Sequence, residues 1–466
     1  MTKILFISSI DSHAATFDLS RGGAAVAIAT VRMLREYVPN AQFASFVQFT
    51  PGFADSLDVR VIRSKLFAHK RYSLGTMLES SLNLVRCALW ALLHKRCPRI
   101  AAILINNRKL RRFARADVIL HLGTDTYSDD YGIFGVIEHS KDILLGVLLG
   151  KPVVIWAESV GPFTSPLTSR LARFTLNRVA LVTVREEISL SVLQNLGVSG
   201  PPTYLTADPA FLLEPASEKR AGEILSAEGV DAGQRPLIGV TMAWTLLVGK
   251  AKSSRYLRYM KEGYWITRAI MPESLFQLIL RKASRFKRLD MSSYTNTQET
   301  VQIIDHLVER LDATVILIPH DYSPAADDRV LLKKILQQVK HKSHVRLLDG
   351  NYSAPELKAV IGQCDLLVSG RMHAAIAALS MHVPAVAIPY GHKFRGIMKM
   401  VGQERYVCDD TAPEAIVSRV VEAWSCRERI RAELMITVDT TKNLALHNAQ
   451  LVADLVRHRG SGSAAV

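Results

Sequence analysis

The segment from Asp365 to Leu379, DLLVSGRMHAAIAAL, decides the fold of this chain. Its residues 366–369 read as a strand buried on both faces, and Gly370 breaks that strand before an alanine-rich helix that begins near His373. A fully buried strand that leads into a helix is typical of a parallel sheet covered by helices. Arg371 and His373 therefore stand at the carboxyl end of a strand and at the positive end of a helix, where open α/β sheets bind anions.

The same alternation of apolar strand and helix runs through both halves of the chain. The first half carries the predicted strands KILFISSI, DVILHLG, PVVIWAES and ALVTVR, and the second half carries PLIGVTMA, TVILIPH, VRLLD, DLLVSG and PAVAIPY. Between the halves lies a proline-rich stretch, VSGPPTYLTADPAFLLEP, which favours a domain boundary. We therefore predict an α/β protein of two doubly wound, Rossmann-like domains that face each other across a cleft.

The predicted domain limits follow from these patterns, because 466 residues exceed one ordinary core. We expect an N-terminal domain on the acceptor side over 1–200, a linker over 201–235, a C-terminal domain with the donor (anion) site over 236–425, and C-terminal helices with a frayed tail over 426–466. Residues 245–300 are longer than an ordinary strand-to-helix connection and form a basic insertion. This insertion is equally well explained as a binding element for a large anionic acceptor or as a helical insertion without a binding role.

Composition restricts the class of protein. Hydrophobic residues make up 48% and charged residues 22% of the chain, which indicates a globular protein. The five cysteines are scattered without a CxxC pair, which argues against a disulfide framework or a zinc site and favours a reducing compartment. The start, MTKILFISSIDSH, lacks the signature of a secretion signal and reads as a strand. We expect a cytoplasmic protein.

The formal charge of +15 is unevenly distributed. Between Arg60 and Arg115, 14 lysines and arginines accompany one acid, Glu79. Such a surface suits nucleic acid, an anionic membrane face or a lipid-pyrophosphate substrate, and a functionally mute basic surface is the alternative. Because nucleic-acid recognition motifs are missing, we expect no nucleic-acid partner, and we allow for peripheral contact with the inner membrane face.

One segment of this basic region is a candidate for membrane contact. The apolar residues of Thr76 to His94 recur at helical spacing, but polar residues interrupt them too often for a membrane span. A core helix is the preferred interpretation. An interfacial helix flanked by Lys95, Arg96 and Arg99 is the alternative.

Polar side chains follow several of the predicted strands and should meet at one rim. The second half contributes Thr241, His320, Arg371, His373, Tyr390 and Lys393. Two histidines, an arginine, a lysine and a helix N-terminus make an anion site with its own proton donor. The facing half contributes Arg21, Gly22, Gly23, Asp125 and Ser159. Asp125 begins the acidic segment DTYSDDYG, which could suit a divalent metal, but helix capping or sugar binding explains these acids equally well and we predict no metal.

Absent motifs exclude several enzyme classes. The chain has no GxxxxGK[ST] loop and no GxGxxG after its first strand, so neither a P-loop nucleotidase nor a dinucleotide dehydrogenase is supported. HExxH and GxSxG are also missing, which argues against a zinc protease and weakens a hydrolase assignment.

The motifs, taken in order, resemble those of the polysaccharide pyruvyl transferase family. The resembling segments are RGGAA, LGTDTYSDDYG, KPVVIWAESVGPF, VREEISLSVLQNLGV, TADPAFLL, VILIPH and SGRMHAAIAALSMHVPAVAIPYGHKFRGIM. The last segment is the most specific, with R-x-H-A, a proline-led strand and Y-x-x-K. The opening glycines lack the acidic residue often found beside them in the family, and the insertion at 245–300 has no counterpart there.

The resemblance implies a fold like that of the two-domain, GT-B-like glycosyltransferases and phosphoenolpyruvate as the donor. The product would be a pyruvate ketal on a sugar of a surface polysaccharide or of its lipid-linked precursor. His373 would be the general acid and His320 would assist, while Arg371, Lys393, Tyr390 and Thr241 would bind the donor. Arg21, Gly22, Gly23, Asp125 and Ser159 would line the acceptor side. This scheme requires no metal and no cofactor.

Two other functions compete with this one. A nucleotide-sugar-dependent glycosyltransferase would also need a basic diphosphate site, although no glutamate for a nucleotide ribose is evident near Arg371. A non-catalytic basic protein that binds membranes or nucleic acid would explain the charge. The presence of Arg371, His373 and Lys393 together argues for a functional catalytic site.

Overall fold

The computed structural model describes residues 1–8, 16–62, 74–106, 108–231, 236–242, 297–323, 327–389 and 392–462. The predicted insertion at 245–300 lies outside these residues except for 297–300, and Tyr390 also lies outside them. Within the described ranges the chain forms two separate sheets whose strands are all parallel.

The first sheet contains seven of the described strands in the order β3-β2-β1-β4-β5-β6-β7. These strands are β1 (Lys3–Ile7), β2 (Gln42–Ser45), β3 (Val59–Val61), β4 (Val118–His121), β5 (Val153–Glu158), β6 (Leu181–Val184) and β7 (Thr203–Leu205). The helices between them are α1 (Arg21–Tyr37), α2 (Pro51–Ser56), α3 (Leu74–Leu93), α4 (Pro98–Leu104), α5 (Arg108–Arg115), α6 (Ile133–Leu148), α7 (Pro166–Leu176) and α8 (Glu187–Leu196).

The second sheet contains five described strands in the order β10-β9-β8-β11-β12. They are β8 (Leu237–Thr241), β9 (Thr314–Leu317), β10 (Val345–Leu347), β11 (Leu366–Ser369) and β12 (Ala385–Ala387). The accompanying helices are α9 (Glu218–Ala227), α10 (Thr297–Leu311), α11 (Asp328–Gln338), α12 (Ala354–Ile361), α13 (Met372–Ser380), α14 (His392–Met400), α15 (Pro413–Ser425) and α16 (Arg427–Gly462).

The strand orders place a functional crevice in each sheet. In an open α/β sheet, ligands bind beyond the carboxyl ends of the strands where the strand order reverses. That point lies between β1 and β4 in the first sheet and between β8 and β11 in the second. The two points face each other, because residue 20 at the start of α1 forms a β-bridge with residue 321 after β9. The fold is therefore the predicted pair of doubly wound domains, and its limits in the chain stay predictions.

The continuous apolar runs of the sequence explain the buried sheets. All residues of β4 and β5 are buried, as expected for strands with helices on both faces. The core of the second sheet extends into the first through Ala24, Ala25 and Val26 of α1. The two lobes therefore share apolar contacts instead of meeting only at a polar cleft.

Lys358 on α12 ties the segment that follows the first sheet to the second sheet. Its ammonium group is almost completely buried and donates to the carbonyl oxygen of Leu213 at 2.6 Å. Burial lowers the pKa of Lys358 to about 7; the charge of Lys442 adds to this shift and Glu214 opposes it.

The long helix α16 crosses both lobes. Its first half buries Leu434 and Val438 in the core of the second sheet, and its second half buries Ala449 and Val452 against the first sheet. Asn448 of α16 is fully buried, and its Oδ1 accepts a hydrogen bond at 2.9 Å from the hydroxyl of Thr206, which follows β7. Among the described residues, no helix combines the length and apolar character needed to cross a membrane.

Candidate active site

Arg371 and His373 stand where the sequence places them, at the junction of β11 and α13. β11 ends at Ser369 and α13 begins at Met372, so Arg371 precedes the helix and His373 lies in its first turn. The extended backbone of Arg371 is fixed by Ser369, whose hydroxyl donates to the Arg371 carbonyl oxygen at 2.8 Å. Both side chains are thereby directed to the rim of the second sheet.

The guanidinium of Arg371 is held by two carboxylates. Its Nη2 forms an ion pair with Asp328, and its Nη1 lies 3.6 Å from Asp321 Oδ2. Burial raises the pKa of Asp328, and the neighbouring charge of Arg371 opposes that shift. Arg371 is thus fixed in direction before any ligand arrives.

His373 lies between the two sheets. Its Nε2 is 3.5 Å from Asp208 Oδ2, a fully buried carboxylate that follows β7 of the first sheet. The opposite edge of the imidazole rests on Gly22 in the first turn of α1, where an added Cβ would lie 2.6 Å from Cγ of His373. The surroundings of His373 are therefore supplied by both sheets.

Arg185 and Asp208 complete this cluster, and sequence reasoning did not select either of them. Arg185 follows β6, is fully buried, and donates from Nη1 to Asp208 Oδ2 at 2.5 Å and from Nε to Ser159 Oγ at 2.9 Å. Its other terminal nitrogen, Nη2, is buried and has no hydrogen-bond partner in the described part of the chain. Burial would raise the pKa of Asp208, but the charge of Arg185 and the contact with His373 hold it below its ordinary value. Position at the end of a buried strand was the available signal for Arg185.

His320 is also present at the rim, in a buried position after β9. Burial lowers the pKa of His320 well below its ordinary value, and the charges of His373, Arg371 and Arg21 lower it further. Its backbone carbonyl accepts a hydrogen bond from the Arg21 amide at 2.9 Å. His320 is therefore a neutral imidazole at neutral pH, suited to hydrogen bonding rather than to carrying a charge.

Arg21, predicted on the acceptor side, forms its contacts with other residues of the protein. Its guanidinium donates to the Asp18 carbonyl oxygen at 2.7 Å and to Asn351 Oδ1 at 2.5 Å, and it stacks 4.3 Å from the centre of the Tyr322 ring. Burial lowers the pKa of Arg21. These contacts tie α1 to the second sheet beside His320.

Lys393 and Asp125, predicted on opposite sides of the cleft, meet across it. Lys393 lies in the first turn of α14 and donates to the Asp125 carbonyl oxygen at 2.5 Å, with the Asp125 carboxylate 3.6 Å away. Both side chains are largely shielded from solvent. An opposite-charge pair of this kind closes the cleft next to Arg185. Burial lowers the pKa of Arg185, but the charges of Asp208 and Asp125 raise it above its ordinary value.

The remaining predicted residues lie behind the rim. Thr241 is fully buried, and its hydroxyl is 2.8 Å from that of Ser369. Ser159 is fully buried and supports Arg185. An added Cβ at Gly23 would meet the Phe17 carbonyl oxygen, so this glycine serves chain packing.

A buried chain of side chains connects β5 to the cleft loop that carries Asp125. His121 Nδ1 pairs with Glu158, His121 Nε2 lies 2.7 Å from His139 Nδ1, and His139 Nε2 lies 2.9 Å from Thr126 Oγ1. Burial lowers the pKa of His139 well below its ordinary value, with smaller contributions from His121 and Lys141. Glu158 also accepts from the Gly123 amide at 2.7 Å and so fixes the start of the loop.

The acidic segment near Asp125 has a structural use at Asp129. The Asp129 carboxylate accepts from the Thr164 amide at 2.6 Å and from the Thr168 hydroxyl at 3.0 Å, at the start of α7. Within the described ranges, no group of three or more histidine, cysteine or acidic side chains is arranged to hold a metal ion.

The geometry as a whole combines an imidazole with fixed cations. His373 Nε2 lies 3.5 Å from Asp208, and Arg185, Arg371 and Lys393 surround the crevice between the two sheets. Such an arrangement can bind a small dianion and transfer a proton to it, with the cations stabilising charge on a departing group.

Comparison with solved structures shows the same architecture. The Anabaena protein HepE, solved in complex with UDP and glucose, aligns over 98% of this chain and 99% of its own at a TM-score of 0.54 and 12% identity. A glycosyltransferase from Rickettsia africae covers 98% of both chains at 0.54 and 9% identity. A UDP-N-acetylglucosamine 2-epimerase from Listeria monocytogenes, described in its structure as putative, covers 94% and 91% at 0.53 and 10% identity. The fold is thus GT-B-like.

Comparison of sequences identifies the family. The amylovoran biosynthesis protein AmsJ of Erwinia amylovora is 24% identical over 356 residues, which are 76% of this chain and 74% of AmsJ. The sequence model of the polysaccharide pyruvyl transferases matches residues 21–392, a span that runs from Arg21 through the clustered Asp208, Arg371 and His373. This chain belongs to the polysaccharide pyruvyl transferase family, and it is a pyruvyltransferase enzyme.

Proposed function

We propose that this enzyme transfers a pyruvyl group from phosphoenolpyruvate to a sugar of a surface polysaccharide or of its lipid-linked precursor. One observation carries the proposal: Asp208 Oδ2 is shared by the His373 imidazole and by Arg185, whose Nη2 has no partner among the described residues. A proton donor thus adjoins a buried cation that a bound carboxylate or phosphate would satisfy. Membership of the family and the similarity to AmsJ support the pyruvyl and polysaccharide parts of the proposal.

In the proposed mechanism, His373 protonates the methylene carbon of phosphoenolpyruvate. The double bond supplies the electron pair, and an oxocarbenium-like centre develops at the adjoining carbon. One acceptor hydroxyl attacks that carbon, the phosphate leaves with its bonding electrons, and a second hydroxyl attacks to close the ketal. The two hydroxyl protons are balanced by re-protonation of His373 and by the departing phosphate. Arg371, Arg185 and Lys393 stabilise the charge on carboxylate and phosphate.

The setting of the reaction follows from the donor and from the cysteines. None of the five cysteines, all of which lie in the described ranges, forms a disulfide, and three of them are buried, as suits a reducing compartment. We therefore place the reaction in the cytoplasm, near the inner membrane face if the acceptor is lipid-linked.

Titration calorimetry with phosphoenolpyruvate and, separately, with UDP-glucose tests the donor. We expect saturable binding of phosphoenolpyruvate that is lost in Arg371→Ala and retained in Arg32→Ala, an arginine whose side chain is 65% exposed far from the rim. Binding of UDP-glucose alone would overturn the proposal and favour glycosyl transfer.

The role of His373 is tested by turnover, followed as phosphate release with cell glycans as acceptor. We expect His373→Ala to lower kcat by about 10²–10⁴-fold, the usual contribution of a general acid, with donor binding preserved. The matched control is His306→Gln, a half-buried residue of α10. Turnover of His373→Ala within a few-fold of wild type would show that another group supplies the proton.

A further inference from the structure

Helix α3 packs one face against the core of the first sheet and leaves an apolar face exposed on the opposite side. Asn83 and Cys87, four residues apart, face the protein interior and are buried at 5% and 0% exposure. A helix that is apolar on one face only would turn polar side chains to solvent on the other. α3 does not follow this pattern, so its outer face needs a separate explanation.

The outer face carries a stripe of exposed aliphatic side chains. Leu82, Val85, Leu89 and Leu92 follow one another at intervals of three and four residues, which aligns them along the helix. Their exposed fractions are 47%, 53%, 42% and 73%. In the part of the chain that the structure describes, nothing covers this stripe.

Helix α4 continues the apolar surface. It packs against α3 and exposes Ile100 and Ile103, again three residues apart, at 53% and 73%. We call the six side chains of α3 and α4 together the aliphatic stripe. Exposed apolar patches of this continuity mark protein or membrane contacts more often than open solvent.

The charge around the aliphatic stripe selects its partner. The turn between α3 and α4 and the first turn of α4 expose Lys95, Arg96 and Arg99, and the next helix, α5, exposes Arg108, Arg111 and Arg115. The sequence from 80 to 116 contains no aspartate or glutamate at all. An aliphatic surface whose charged neighbours over residues 80–116 are all cationic is complementary to a bilayer with anionic headgroups, in which apolar side chains enter the acyl boundary and cations remain at the phosphates.

We propose that the aliphatic stripe of α3 and α4, with its basic border, docks the enzyme onto an anionic phospholipid bilayer. The helices lie in the plane of the interface and do not cross it. Only the role of this docking rests on the proposed function: it would bring the crevice close to a lipid-linked acceptor.

Flotation with vesicles tests the docking of the full-length protein. We expect wild type to float with vesicles of phosphatidylcholine and phosphatidylglycerol in equal parts, to float much less with pure phosphatidylcholine, and to detach as salt rises. The variant Leu89→Gln/Leu92→Gln should bind the anionic vesicles about tenfold more weakly or less, since it loses two apolar anchors. Failure of wild type to float with anionic vesicles would overturn the proposal.

The matched control is Met435→Gln/Ile436→Gln, which removes two exposed apolar side chains of α16 with similar exposure, 59% and 74%. This control should bind like wild type. If both double variants bound the anionic vesicles equally well, charge alone would explain the binding and the aliphatic stripe would not contribute to it. A change in the sedimentation coefficient of Leu89→Gln/Leu92→Gln without a change in flotation would mean that a second copy of the chain covers the stripe.

Cys97 provides a direct probe of insertion, because it is exposed in the turn between α3 and α4. An environment-sensitive fluorophore attached there in a Cys426→Ser background should shift to the blue with anionic vesicles. An unshifted spectrum with bound protein would contradict insertion. Phosphate release on a soluble glycan should be the same in wild type and Leu89→Gln/Leu92→Gln, so a failure of docking stays separate from a failure of pyruvyl transfer.

Discussion

The side chain of Gly22 is a hydrogen atom, and the imidazole of His373 occupies the space that any larger side chain would need. We expect Gly22→Ala to displace the proposed acid and to lower kcat by up to about 10²-fold, the effect of a misplacement of about 1 Å. The measurement is steady-state phosphate release, with thermal unfolding recorded alongside to separate displacement from loss of fold.

Gly222→Ala is the control for this change. Gly222 lies in α9, and an added Cβ there would have no neighbour within 4 Å. Because alanine favours a helix over glycine, this variant should gain about 0.5–1 kcal/mol of unfolding free energy and keep full turnover. Wild-type turnover in Gly22→Ala would show that His373 can move without consequence.

Glu158 pairs with His121, the first residue of the buried chain that continues through His139 to Thr126. It also accepts a hydrogen bond from the Gly123 amide. Glu158→Gln replaces a charged acceptor by a neutral amide in a site without solvent. We expect a loss of about 1–3 kcal/mol of unfolding free energy in urea titration, the cost of an ill-matched buried hydrogen-bond partner.

The surface variant Glu187→Gln separates this effect from simple loss of charge. Glu187 pairs with Lys399, and its side chain is 55% exposed. Such a change should stay within about 0.5 kcal/mol of wild type. If Glu158→Gln were equally mild, the buried chain would not hold the cleft loop.

At the scale of one helix, Lys358 on α12 makes stability depend on pH. Its pKa of about 7 in the folded protein lies below the ordinary 10.5, so between these values the unfolded chain holds a proton that the folded protein lacks. The unfolding free energy therefore rises with pH across this window, by about 1.4 kcal/mol per unit from this group. In Lys358→Met this rise should be missing.

Urea unfolding at about pH 7 and about pH 9 measures the effect as a difference between wild type and Lys358→Met. Other titrating groups contribute equally to both proteins and cancel. The difference should grow by about 2 kcal/mol in favour of wild type at the higher pH. Lys333→Met on α11, whose side chain is 52% exposed, should keep the wild-type slope. Parallel slopes for Lys358→Met and wild type would mean that Lys358 is charged in the fold.

The elements differ in how far the sequence predicts them. All nine predicted strands are present, because most of them are continuous apolar runs between turn residues. The strands β2, β3 and β7 were missed: QFAS and VRV have no such run, and TYL lies inside a proline-rich stretch. They stand toward the edges of the first sheet, where burial imposes a weaker pattern.

The α3 segment shows the same limit. Its periodicity predicts a helix, and the structure confirms one, with a buried face and an exposed one. Periodicity alone could not tell which side is covered, since Leu84 and Trp90 pack against the core whereas Leu89 and Leu92 are exposed. The contact of His373 with Asp208 was likewise unpredictable, because it joins positions 165 residues apart that belong to different sheets.

At the scale of the whole molecule, α16 joins the lobes through Asn448. This side chain accepts from Thr206 Oγ1 at 2.9 Å and donates to the Ala207 carbonyl oxygen at 3.1 Å, next to the buried Asp208. Asn448→Ala removes the buried donor of the Ala207 carbonyl oxygen and leaves Thr206 Oγ1 with the Val184 carbonyl oxygen, so we expect it to cost about 1–3 kcal/mol of unfolding free energy. Thermal and urea unfolding measure the loss.

Gln450→Ala is the comparison for this variant, since Gln450 is exposed on the same helix and reaches only the Tyr37 hydroxyl at 3.3 Å. It should unfold within about 0.5 kcal/mol of wild type. Comparable losses in the two variants would mean that α16 is held by its apolar contacts alone.

The composite surroundings of His373 also govern how such enzymes can be recombined. Gly22, Arg185 and Asp208 belong to the part of the chain that forms the first sheet, whereas His373 belongs to the part that forms the second. A chimera that borrows its first sheet from a relative with another acceptor receives a new environment for its histidine at the same time. Crossover points chosen between the sheets would therefore separate parts of one constellation, and exchange of acceptor preference has to preserve those three positions as a unit.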